Sequence, residues 1–357
     1  MRWLVLVRRA IVRIPGATFR RGYAVIDTDS FSVRLRTQAV DPSRQALLIS
    51  DLRGSGQEDD LSEPVNCGGY GRIRHFTTHA SPGWPPNPLP LAPAAAALRL
   101  PPPGQMRAQV FQNAVCNWRC WYCYVPFSLL SGNPKRSAWF TATELVDAYL
   151  AGQDPPPVLD LSGGQPDLVP EWAAWTLRAL DDRGAGRVYV WSDDNLSTDY
   201  FWRYLTEPQR ELLATHPRYG RVCCFKGFDA DSFAFNTRAA PELFDRQFEL
   251  FGRLLSTGMD LYAYVTLTGP GTGRIGEKVA RFVDRLQQIA ETLPLRTVPL
   301  EIEVWGPVAP RIGAVHQQAL RVQAEAVAAW NAEMASRFTE RDRRRPVTEV
   351  QLRAGCR

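Results

Sequence analysis

The sequence predicts an α/β protein: a partial, TIM-like (β/α)6 barrel with a small β-rich extension before it and a helix after it. Three observations point there. Short apolar runs alternate with amphipathic stretches from about residue 105 to 305, the mark of βα units around a parallel sheet. A tract crowded with prolines separates that region from an earlier one of different pattern. With 357 residues, 45% hydrophobic and 22% charged, the chain can bury a large core, which excludes disorder as its dominant state.

Residues 1–80 alternate apolar and polar positions, as in Phe31-Ser32-Val33-Arg34-Leu35 and around Ala24-Val25-Ile26, and predict the β-rich extension. In residues 81–104, Pro82, Pro85, Pro86, Pro88, Pro90, Pro93, Pro101, Pro102 and Pro103 predict an extended connector, since proline fixes φ and removes a donor. The barrel follows over 105–305. Its strands are expected at 108–111, 158–161, 188–191, 222–225, 261–267 and 298–304, and its helices at 143–150, 171–180, 241–255 and 277–290. In the last of these Val279, Phe282, Val283, Leu286 and Ile289 share one face. Residues 306–357 supply a final outer helix, about 315–338, and a basic tail. Six units rather than eight leave one side open to a large substrate, and chemistry in such barrels sits at the C-terminal strand ends.

Charge excludes some partners. The 42 Lys and Arg against 37 Asp and Glu leave only +5, and the one basic cluster is Arg341, Arg343, Arg344 and Arg345, so nucleic acid is disfavoured. Apolar stretches such as Trp3 to Val7 are far too short to span a bilayer. Seven cysteines, an odd number with no signal-peptide pattern, argue for thiols that serve metal or catalysis and predict a cytoplasmic protein. Lysine is rare: only Lys135, Lys226 and Lys278.

Cys116, Cys120 and Cys123 form a C-x3-C-x2-C array just after the first barrel strand. Structural zinc is closed by four ligands, and none of His75, His79, His216 and His316 lies near enough in sequence to be an evident fourth. A cubane iron–sulfur cluster can use three thiolates and keep one iron free.

With Tyr122 before the third cysteine and Asn117-Trp118-Arg119 inside the array, this segment resembles the radical S-adenosylmethionine superfamily. Ser162-Gly163-Gly164-Gln165-Pro166 looks like that family's Gly-Gly-Glu-Pro turn, whose backbone meets the amino group of S-adenosylmethionine, with Gln165 in place of the acid. Lys226, ending an apolar strand, is similar to the lysine that pairs with the methionine carboxylate in glycyl-radical-enzyme activases, the nearest members by motif. A buried ammonium needs an anion beside it; a lysine reaching solvent is the alternative. Asp194 and Asn195 stand where the family places ribose contacts, although Asx residues also cap helices. Ile275, in a Gly-rich segment, matches an adenine contact or a helix start.

The resemblance covers about residues 105–305. It implies a barrel of the radical S-adenosylmethionine type that holds one 4Fe–4S cluster and cleaves S-adenosylmethionine reductively to methionine and a 5′-deoxyadenosyl radical. An external one-electron donor, of flavodoxin or ferredoxin type, is then needed. The substrate stays open among small molecule, peptide and protein. The leftover Cys67, Cys223, Cys224 and Cys356 show no spacing for a second cluster. The alternative is a non-catalytic iron–sulfur or zinc module that binds a partner, with nucleic acid held through the arginine tail.

Overall fold

The computed structural model describes residues 18–20, 23–79, 86–101 and 103–352. Pro82, Pro85, Pro102, Cys356 and the segment 3–7 lie outside the described residues. The strands are β1 Thr18–Arg20, β2 Tyr23–Val25, β3 Val40–Asp41, β4 Ala46–Ser50, β5 Gly71–Thr77, β6 Gln105–Phe111, β7 Ser137–Thr141, β8 Val158–Leu161, β9 Tyr189–Asp194, β10 Tyr219–Phe225, β11 Leu261–Val265 and β12 Thr297–Pro299. The helices are α1 Thr28–Ala39, α2 Leu91–Leu98, α3 Ala142–Leu150, α4 Glu171–Asp182, α5 Tyr200–Tyr204, α6 Glu207–Thr215, α7 Ala230–Thr237, α8 Leu243–Leu255, α9 Ile275–Ile289, α10 Ala314–Arg337 and α11 Glu340–Arg343.

Seven strands form one sheet in the order β12-β11-β10-β9-β8-β6-β5, curled into a half barrel. The six from β6 to β12 run parallel, and β5 is added antiparallel to β6 with Gly71 opposite Phe111. These six are the predicted barrel strands. The last is shorter than expected: it stops at Pro299, which has no ladder donor, and Glu301 beyond it is exposed.

Side chains alternate across the sheet and divide the core in two. Outward residues such as Val190, Cys223, Phe225 and Val265 pack against the helical layer, where Phe248, Phe251 and Phe282 surround Phe225. Inward residues such as Ala108, Val158, Trp191, Val222, Cys224, Tyr262 and Tyr264 fill the lower lumen together with Leu91, Ala94 and Ala95 of α2. Cys223 and Cys224 thus face opposite ways, as strand alternation requires.

Two local expectations differ. Residues 31–35, whose alternation predicts a strand, lie inside α1, where Asp27 caps the helix through Ser30 N–H and Thr28, Ser32, Leu35 and Ala39 form its buried stripe. The proline tract contains α2. Pro93 falls in its first turn, where the missing N–H would have had no intrahelical acceptor, so it does not prevent the helix. The region before the barrel also joins it directly: β5 extends the main sheet, and β4 pairs with β7 in a separate three-stranded sheet.

Candidate functional site

The cysteine array occupies the loop leaving the C-terminal end of β6, and its intervening residues hold it in place. Asn117 donates from its amide to Ser32 Oγ and Ser197 Oγ, each at 2.9 Å, and Trp118 Nε1 donates to Thr28 Oγ1 at 3.1 Å. Trp121 Nε1 donates to Asn236 Oδ1 at 3.0 Å, while the Arg119 and Trp121 amides donate to the carbonyls of Thr237 and Asn236. The loop is therefore pinned between α1 and the end of α7. Cys116 and Cys120 are buried and Cys123 is partly so.

Burial pushes the Cys116 thiol up, against the pull of Arg119. It pushes Cys120 up to about 12, against Lys226. Cys116 is also raised by Cys123, and Cys120 by both Cys116 and Cys123. Burial lowers both Arg119 and Arg311, against the raising effect of the neighbouring cysteines. Arg311 further donates to the carbonyls of Cys123 and Val125, at 2.5 and 2.9 Å. Three sulfurs thus stand among three cations.

The Gly163-Gly164 turn after β8 packs on this loop. Both glycines have positive φ, +85° and +71°. A Cβ on Gly164 would stand 2.6 Å from the carbonyl oxygen of Val115 and closer still to that of Asn113, so only glycine allows the approach. Gln165 N–H donates to Val115 O at 2.8 Å and Asn113 donates its amide to Gln165 O at 2.9 Å, which locks turn to loop.

The remaining expected residues divide. Tyr122 reaches across the mouth, with its hydroxyl 3.1 Å from Thr266 Oγ1 just past β11. Lys226, following β10, sits among acidic groups: burial lowers its pKa, but Cys224, Tyr122, Cys120 and Asp193 more than reverse this. Asn195 brings its amide to within 3.9 Å of Cys116 Sγ. Cys116, Cys120, Cys123, Tyr122, Gly163, Gly164, Asn195 and Lys226 therefore gather at one end of the sheet.

Gln165 and Asp194 differ from the free contacts expected of them, and Ile275 takes the helix-start alternative. The Gln165 amide is engaged at both ends, donating to Asp194 Oδ1 at 3.0 Å and accepting from Asn195 N–H at 3.1 Å. Asp194, on the outward face of β9, also accepts from Leu196 N–H and pairs with Arg221. Both residues tie the ends of β8 and β9 together. Ile275 is 1% exposed in the core as the first residue of α9, because its side chain belongs to that helix's apolar stripe.

Inward-facing charge was missed from sequence: Arg72 and Arg74 on β5, Asp160 on β8 and Asp193 on β9. The signal was alternation, since Asp193 shares its face with Trp191, and Arg72 and Arg74 share theirs with Phe76. Burial together with neighbouring Asp160 pushes Asp193 up to about 7, against Arg74 and Lys226. Asp160 is likewise raised by burial, against Arg74 and Arg72.

Among the described residues, no three His, Cys, Asp or Glu side chains converge on a single metal ion. One ion would need sulfurs about 4 Å apart, whereas thiolates on separate irons of a cubane stand wider. No helix among the described residues is long and apolar enough to cross a membrane.

No family model and no curated protein matches this chain. Among solved structures, it is similar to SuiB of Streptococcus suis bound to the precursor peptide SuiA, with a TM-score of 0.44 and 14% identity over 63% of this chain and 46% of that one. It is also similar to SuiB bound to S-adenosylmethionine, with a TM-score of 0.37 and 16% identity over 49% of this chain and 36% of that one. The chain spans less than half the length of these proteins. The likeness to activases finds no support in them.

Proposed function

We propose that this protein is a radical S-adenosylmethionine enzyme whose Cys116, Cys120 and Cys123 hold one 4Fe–4S cluster at the mouth of the half barrel. The observation that carries this reading is a trio of thiols, two buried and one partly so, at the C-terminal strand ends, surrounded by Arg119, Lys226 and Arg311. The donor set suits the cluster: soft thiolates as ligands, with guanidinium and ammonium groups to offset their negative charge. Because burial favours the protonated thiols, loading must expel their protons.

When bound, the cluster supplies the electron, from an external donor, that cleaves S-adenosylmethionine to methionine and a 5′-deoxyadenosyl radical able to take hydrogen from an unreactive carbon. This chain's residues orient and shield. In this reading Lys226 pairs with the carboxylate of the methionine moiety, and the exposed backbone of Gly163 and Gly164 receives its amino group. Tyr122 and Asn195 border the nucleoside. Gln165 and Asp194 act through the turn and strand end that they fasten, as positioning residues. The apolar lower lumen excludes water beneath the site.

Anaerobic reconstitution tests this reading. One cubane per chain and dithionite-dependent release of 5′-deoxyadenosine are expected. A colourless zinc protein without turnover would instead support a partner-binding metal module.

A further inference from the structure

Between the apolar floor of the lumen and the cysteine loop lies a layer of charge that the proposed cofactor contacts do not use. Arg72 and Arg74 enter it from β5, the antiparallel strand that closes the open edge of the parallel set. Asp160 enters from β8 and Asp193 from β9, and Lys226 borders it from above. Strand alternation places them together: Asp160 is two residues from Val158, Asp193 two from Trp191 and Arg74 two from Phe76, all lumen residues.

The layer is only partly satisfied. Arg74 Nη1 donates to Asp160 Oδ2 at 3.3 Å, which also accepts from Ser162 Oγ at 3.0 Å. Arg72 Nη2 donates to Tyr124 Oη at 3.0 Å, directly beneath the cysteine loop. Asp160 Oδ1 and Arg72 Nε have no hydrogen-bond partner among the described residues, although Asp160 is 0% and Arg72 5% exposed. A buried acceptor and a buried donor left open in one layer are costly unless a ligand completes them. With Lys226 given to the cofactor, Arg72 and Arg74 face Asp160 and Asp193, so the missing ligand must bring an acceptor for the open Arg72 guanidinium, and a carboxylate is the strongest such partner. Its chemistry must include a donor for Asp160.

We propose that this layer is the substrate-recognition site, and that it takes an organic carboxylate carrying a neighbouring N–H donor, the pattern shared by a free amino acid and the C-terminal residue of a peptide. Arg72 receives the carboxylate and Asp160 the N–H. The assignment of this ligand as substrate rests on the radical reading, because the layer lies directly under the cysteine loop; its binding chemistry does not.

Binding is measured by calorimetry on the full chain, as purified and after anaerobic reconstitution, with three probe sets: free L-amino acids, N-acetyl-L-amino acids and the matching N-acetyl-L-amino acid amides. At least one member of the first two sets should bind, with its amide at least about tenfold weaker. Preference for the free set assigns an amino acid, and preference for the N-acetyl set a peptide end. Arg72→Gln should lose about tenfold or more in affinity while melting as a folded protein, and Asp160→Asn should weaken the same probe. No binding by either acid set, equal binding of acids and amides, or wild-type affinity in a folded Arg72→Gln protein would overturn the proposal. Release of 5′-deoxyadenosine is scored separately. Carboxylate binding without it keeps the site and removes the radical reading, while release without carboxylate binding does the reverse.

Discussion

Lys226 keeps its charge at the end of a buried strand: burial pulls its pKa down, but its interactions with Cys224, Tyr122, Cys120 and Asp193 raise it overall. Replacing it with alanine should weaken S-adenosylmethionine binding about tenfold to a hundredfold and leave iron content unchanged, as measured by equilibrium binding and metal analysis. Parallel loss of both would show that the lysine supports the thiols rather than the ligand. The two glycines separate by a similar logic. Gly164→Ala drives a Cβ into two backbone carbonyls that cannot move independently, and should cost about 3 kcal/mol in urea unfolding. Gly163→Ala puts its Cβ 2.6 Å from Cγ and Oε1 of the buried Gln112 side chain rather than against backbone, and with the strain of its positive φ should cost about 2 kcal/mol. The glycine pair was legible in sequence, but the reason for the second was not: the carbonyls it must clear belong to residues about 50 positions earlier.

At the scale of elements, α1 explains what the first eighty residues contribute. Its Thr28 and Ser32 hydroxyls meet Trp118 and Asn117, so this helix braces the loop between the cysteines. Arg36, on the same helix, forms a buried two-pronged pair with Glu171 at the start of α4 and donates to Leu168 O at 2.9 Å. Breaking a buried pair from one side leaves its partner charged and desolvated. Glu171→Gln should therefore lower stability by about 3 kcal/mol, read as a fall in the thermal midpoint by circular dichroism. Alternation at residues 31–35 misled because a short window fits period two as well as a helical stripe; buried Thr28, Ser32, Leu35 and Ala39 have the helical spacing. The barrel helices α3, α4, α8 and α9 were legible because each carries its apolar stripe through two turns or more.

The charged lumen belongs to the whole molecule, since β5, β8, β9 and β10 must all be in register before its groups meet. Asp193 titrates near 7 in the folded chain against an ordinary 3.8, so the folded state holds its proton where an unfolded chain has lost it. That contribution to stability is present in acid and is lost as pH rises through about 7. Asp193→Asn should accordingly match the wild type in stability near pH 4 and exceed it by on the order of 2 kcal/mol at pH 8, in paired urea titrations. An unchanged difference across that range would place Asp193 in water rather than in the lumen field.

From residue order alone came the six parallel strands, the main helices and the triple-thiol array, because each depends on contacts within a few residues: an apolar run, a helical stripe, a cysteine spacing. Only tertiary structure decided that α1 braces the array, that Gln165 and Asp194 are spent on each other, and that Arg72, Arg74, Asp160 and Asp193 share one layer. Those outcomes depend on which face each strand turns inward and on which distant element arrives to meet it, and a curled sheet settles both at once.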